Sequence, residues 1–131
     1  SVKDLYYGIY KEVGVPIVFD YHHHQFCTGG MSEQEALEMA LSTWGDIKPV
    51  THYSESRSKE QLDEKIRPQA HSDYVYDKIE MYDNDFDIMI EAKKKELAVR
   101  KYAEIHMVDQ YSGLPAVDSY KQKQPDPRIF I

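Results

Sequence analysis

Pro16-Ile17-Val18-Phe19-Asp20-Tyr21-His22-His23-His24 is an apolar run that ends abruptly in a carboxylate and three imidazoles. Its continuous apolar character, bounded by Gly14 and Pro16 before and by the polar cluster after, predicts a strand buried on both faces, as in a parallel sheet covered by helices. Chemistry in such sheets collects at the carboxyl ends of strands. The competing reading is a hydrogen-bonded or solvent-facing histidine cluster after a core strand. An expression tag does not fit, because the histidines sit between Asp20-Tyr21 and Gln25-Phe26 inside a patterned segment.

The same pattern recurs twice. Ile47 to Ser54 is a short, partly β-branched stretch carrying His52 and Ser54 near its end, and Phe86 to Lys93 is an apolar run closed by Glu91. Between the first two, Ser32-Glu33-Gln34-Glu35 is a capping box, in which the serine and the second glutamate can satisfy exposed backbone donors. Ala36, Leu37, Met39, Ala40 and Leu41 follow at helical spacing, and Gly45 after Trp44 is a stop signal. Strand, helix and strand of these lengths predict a right-handed parallel crossover.

A second helix is expected over about Asp73 to Tyr82, with Tyr74, Val75, Ile79 and Met81 as its apolar positions. A third is expected from Ala92-Lys93-Lys94-Lys95-Glu96 to about Met107, with Leu97, Ala98, Tyr102 and Ile105 on one face. Val2 to Val13 also has helical spacing through Leu5, Ile9 and Val13 and ends at Gly14. Residues 1–110 therefore read as a helix followed by three βα units, and residues 111–131, rich in Pro, Gly, Ser and Lys, as a C-terminal extension.

The fold class expected is α/β. Three parallel strands after a lone helix make neither a doubly wound sheet nor a closed barrel. The pattern looks like the last third of a TIM-type (β/α)8 barrel, whose usual length is roughly 250 residues. Such a piece leaves strand edges and apolar faces uncovered, so a partner is expected: an amino-terminal barrel segment or self-association. A single cysteine, Cys27, rules out an intrachain disulfide framework. No apolar run approaches the roughly 20 residues of a membrane span, so no membrane partner is expected. The formal charge of −7 argues against a broad nonspecific nucleic-acid coat. It is compatible with a metal-centred site, because bound cations neutralise acidic ligands.

Together, VFDYHHH, Thr43-Trp44, THYS at Thr51 to Ser54, the isolated His71 in AHSDY, and DIMIEAKKKE at Asp87 to Glu96 resemble the UV damage endonuclease family. The resemblance spans about Val15 to Tyr102 and corresponds to the carboxyl-terminal part of that family's barrel. It implies a cluster of two or three divalent ions, Mn²⁺ or else Zn²⁺. It also implies nicking of UV-damaged double-stranded DNA 5′ of the photoproduct, leaving 3′-OH and 5′-phosphate ends. Carried over by position, Asp20, His23, His52, His71 and Glu91 match metal ligands, and Asp20, His23, His52 and Glu91 the catalytic set. A lysine that relatives carry as a carbamate corresponds here to Val50, and Lys48 would be its nearest substitute, one step deeper on the same side of the strand. The family's other ligands belong to the amino-terminal part, so incision is expected only with a complementary segment. An intracellular location, cytoplasmic or nuclear, follows from the substrate.

Other residues carry paired readings. Ser54, Arg57 and Lys93, near strand ends, are candidates for phosphate contact or for ordinary surface roles. His22 and His24 suit hydrogen-bonded support, His106 a helix end, and Trp44 packing beneath the sheet. Two alternatives stand beside the nuclease. One is a xylose isomerase-like sugar isomerase, which shares strand-end His, Asp and Glu metal sites. The other is an inactive or partner-dependent barrel fragment that binds metal without catalysis.

Overall fold

The computed structural model describes residues 1–107. The extension expected over 111–131 lies outside the described residues. The described residues divide into two compact units: Ser1–Tyr53 with Glu80–Met89, and Ser54–Ile79 with residues 90–107.

The first unit is built on a parallel pair. β1 (Phe19–Asp20) and β2 (Val50–Tyr53) place Phe19 opposite Thr51 and Asp20 opposite His52. β3 (Asp87–Ile90) completes a sheet of order β1-β2-β3. The α/β class with parallel pairing is as expected, but β1 is far shorter than the apolar run that contains it. Nor is it buried on both faces: Ile17 and Phe19 are 5% and 1% exposed, whereas Val18 between them is 42% exposed. The backbone of Ile17 explains the shortening. Its N–H donates to Thr43 Oγ1 at 2.8 Å, and its carbonyl accepts from Trp44 Nε1 at 2.8 Å, so side chains take the bonds that a strand ladder would have used.

Six helices, α1 to α6, lie in the described residues. Helical spacing over Val2 to Val13 gives α1 (Val2–Leu5), a π-helical stretch (Tyr6–Tyr10) and α2 (Lys11–Val13), closed by Gly14 in the left-handed conformation. Its Leu5, Ile9 and Val13 are all exposed. Gly29, at φ 63°, passes so close to Ser1 that a Cβ would lie 2.6 Å from the Ser1 hydroxyl. The histidines do not continue the strand; they belong to α3 (Tyr21–Phe26). Asp20 turns the chain by accepting the His23 N–H at 2.9 Å, the bond of a helix N-cap.

α4 (Glu33–Leu41) starts where the capping box predicts, with Ser32 Oγ accepting the Glu35 N–H at 3.1 Å. It buries Ala36, Leu37 and Ala40 and runs into a 3₁₀ turn at Ser42–Trp44. Phe19 and Tyr21 supply the aromatic part of this core, edge to face with centroids 4.9 Å apart. The 80–89 segment is fastened to α4 by the Tyr82 hydroxyl, which donates to Glu33 Oε2 at 2.6 Å.

In the second unit, α5 (Arg57–Gln61) follows an antiparallel bridge between Ser56 and His71. The helix expected over Asp73 to Tyr82 does not form. Its backbone donors are taken by side chains from elsewhere in sequence: Asp73 and Tyr74 N–H donate to Glu60, Tyr76 and Asp77 N–H to Glu55, and Ile79 N–H to Tyr102 Oη. A helix starting at Asp73 leaves its first N–H groups free, but it needs those of Tyr76, Asp77 and Ile79 for its own carbonyls four residues back. Tyr82 and Asp83, both at positive φ, then close the segment in a turn. α6 (Glu96–His106) begins later than its sequence suggests, because Lys95, at φ 49° and ψ −124°, interrupts helical geometry just before it. Leu97, Ala98 and Ala103 are its buried face, whereas Ile105, expected there, is 46% exposed.

Candidate metal centre

Asp20 and His52 come together because their strands are parallel neighbours and the two residues are register partners. Both are half-buried. Asp20 ends β1 and already uses one carboxylate oxygen, Oδ1, as the cap of α3, which fixes its side-chain direction. Glu91 follows β3 directly. One ligand atom each from Asp20, His52 and Glu91 lies within 4.8 Å of the other two, which makes them a candidate metal-binding group. Two carboxylates and an imidazole are a mixed hard and borderline donor set, suited to divalent ions such as Mn²⁺ and Zn²⁺.

His71 stands beside Glu91, Nε2 to Oε2 4.0 Å, with the two side chains 37% and 34% exposed. Its backbone is bracketed on both sides: Arg57 N–H donates to the Ala70 carbonyl at 2.8 Å and Ser72 N–H to the Glu55 carbonyl at 2.9 Å. Lys93 N–H donates to the Ser72 carbonyl at 2.9 Å, so the chain just past Glu91 is tied to the chain just past His71.

The other expected residues divide. His23 is exposed on α3 and is not a member of the three-residue group. His22 and His24 are buried, the first edge-on to Phe26 with centroids 5.1 Å apart and the second 5.5 Å from the Phe19 ring. His106 Nε2 donates to the Tyr76 carbonyl at 2.7 Å from the last turn of α6. Ser54 is buried. Arg57 pairs with Asp73 at 2.7 Å, and the Lys93 side chain is exposed.

Lys48 precedes β2, at the end of the strand opposite His52, and its ammonium meets Asp87 at 3.3 Å and Asp85 at 3.5 Å. The hydrogen bond to Asp87, then the charge of Asp85, raise its pKa above the ordinary lysine value. A carbamate forms on the neutral amine, so these carboxylates work against that modification.

Two carboxylates escaped the sequence reading. Glu60 accepts from Asp73 N–H (2.8 Å), Tyr74 N–H (3.0 Å) and Tyr76 Oη (2.8 Å); Glu55 accepts from Tyr76 N–H (3.0 Å) and Asp77 N–H (3.0 Å). Burial pushes the Glu60 carboxyl up, but its donors together outweigh burial and hold it below the ordinary carboxylate range. The Tyr76 hydroxyl is pushed up to about 12, by burial first and by its bond to Glu60 second. No local spacing signals this arrangement, because the partners lie 13 to 22 residues away.

The sequence pattern of the family described as UV-endonuclease UvdE matches residues 1–121. The UV DNA damage endonuclease of Bacillus cereus (strain ATCC 10987 / NRS 248) is 30% identical over 122 residues, covering 86% of this chain and 36% of that protein. The UV-damage endonuclease of Schizosaccharomyces pombe is 39% identical over 106 residues, 76% of this chain and 17% of that protein. The crystal structure of SacUVDE superposes with a TM-score of 0.65 at 26% identity, over 86% of this chain and 37% of that one. This chain thus spans little more than a third of the Bacillus relative's length. The chain belongs to the UV-endonuclease UvdE family.

Proposed function

We propose that this chain forms part of the metal site of a DNA repair endonuclease that nicks UV-damaged duplex DNA 5′ of the photoproduct, leaving 3′-OH and 5′-phosphate ends. The observation that supports this reading most is the donor group Asp20, His52 and Glu91 in a chain of this family. Asp20, His52 and Glu91 would hold a divalent ion, Mn²⁺ by preference, with His71 and, by resemblance, His23 as further ligands. The ion, when bound, supplies a nucleophilic hydroxide at neutral pH and neutralises charge on the phosphate and leaving oxygen.

The protein's own contribution is positioning. Asp20 is oriented by the cap of α3, His52 by its place in β2, and Glu91 by the strand that precedes it. Lys93, exposed just past Glu91, is the cation best placed to meet a phosphate. Arg57 is engaged by Asp73 and reaches phosphate only by giving up that bond. DNA as substrate places the protein inside the cell. Among the described residues no helix is long and apolar enough to cross a membrane.

The test is incision of a UV-irradiated, end-labelled duplex with Mn²⁺, by this chain alone and mixed with the amino-terminal part of a related enzyme. Cleavage 5′ of the photoproduct in either sample is the expected result, and cleavage only in the mixture identifies a complementing piece. Absence of both cleavage and Mn²⁺ binding overturns the proposal.

A further inference from the structure

We propose that Glu60 is a positioning residue for the metal site, acting through His71. The inference rests on the reading of His71 as a metal ligand and adds to it a residue outside the ligand set.

His71 opens a loop. Residues 72–79 form neither helix nor strand, so the direction of the chain leaving His71 is set by whatever receives its backbone donors. The receiver is the Glu60 carboxylate, whose two oxygens take the N–H groups of Asp73 and Tyr74 at 2.8 and 3.0 Å, the second and third residues after His71. Tyr76 adds its hydroxyl to the same carboxylate at 2.8 Å. On its other side, the loop is tied to the chain after Glu91 through Ser72 and Asp73 carbonyls, which accept from Lys93 and Lys94 at 2.9 and 3.0 Å. The peptides between residues 72 and 74 are therefore held from two directions, and the His71 ring faces Glu91 from a backbone that has little freedom to turn.

An anionic acceptor of two adjacent amides is stronger than a neutral one, and it fixes both direction and register of the loop. Groups that orient metal ligands from outside typically change metal affinity by 10- to 100-fold when removed. Glu60 is therefore expected to matter to metal affinity although it belongs to no donor group found among the described residues.

The experiment is a double-mutant cycle on the full 131-residue chain, reading Mn²⁺ affinity by titration calorimetry at a temperature where circular dichroism shows every variant folded. The expected result is that Glu60→Ala weakens Mn²⁺ binding about 10-fold or more in the parent and has no further effect in the His71→Ala background. If Glu60→Ala fails to fold, Glu60→Gln enters the same cycle. It keeps one carbonyl oxygen and sets an N–H₂ against a backbone donor, and the same pattern is expected. Equal losses in both backgrounds, or no loss where His71→Ala alone weakens binding, overturn the role of Glu60 and leave the ligand reading standing. Unchanged affinity in His71→Ala overturns the ligand reading and the inference with it. A purely structural role would lower the melting temperature and leave Mn²⁺ affinity at its parent value.

Discussion

At Glu60, burial and hydrogen bonding oppose each other, and the bonds prevail. A carboxyl whose pKa is depressed in the folded state contributes stability above its unfolded value, 4.5, and loses that contribution as pH falls through the folded value. Urea unfolding of parent and Glu60→Gln should therefore differ most above about pH 5 and converge in acid. A difference independent of pH would refute this. Tyr82 behaves oppositely. Its bond to Glu33, then burial, push its hydroxyl up to about 12, so its contribution is complete below the ordinary value of 10.0 and disappears as pH rises through about 12. Tyr82→Phe should remove a late-ionising component from the tyrosinate absorbance titration. For the metal site, His52→Ala and Glu91→Gln should each weaken Mn²⁺ binding by more than about tenfold while far-ultraviolet dichroism is preserved. Unchanged affinity in both would remove the donor group from consideration.

Elements whose bonds are local were legible in the sequence, and those whose bonds come from far away were not. α4 is the clear case: Ser32, Glu35 and the apolar positions after them lie within a few turns of one another, and the helix starts where they say. Ser32→Ala should cost about 1 kcal/mol. Leu37→Ala, at a position with no exposure, should cost about 2–5 kcal/mol, both read from chemical denaturation. The segment 73–82 has a helical apolar pattern, yet Glu55 and Tyr102 take donors that its turns would need, and no window of neighbouring residues contains them. The strand ends carrying Asp20, His52 and Glu91 were legible because each closes an apolar stretch. The helical state of the histidines was not, although Asp20 three residues before His23 was a usable N-cap signal.

For the whole molecule, metal and fold should be linked. A ligand that binds only the folded protein stabilises it by about 2.7 kcal/mol at one hundred times its dissociation constant, so Mn²⁺ should raise the melting temperature and a chelator reverse the rise. That shift should vanish in a variant lacking both His52 and Glu91 side chains. No shift in the parent would argue against a site formed by these residues. With a formal charge of −7, the chain has little general attraction for phosphate. Binding to DNA is therefore expected to depend on the ion rather than on basic surface, and chelation should abolish it more completely than added salt.

The clamp of Thr43 and Trp44 on Ile17 has a kinetic consequence. The Ile17 amide lies before β1, yet in deuterium oxide it should exchange as slowly as a ladder amide, because a buried threonine oxygen stands where solvent would. That oxygen belongs to the turn that ends α4, so the deuterium clock at Ile17 times the opening of a helix end 26 residues away rather than the parting of strands.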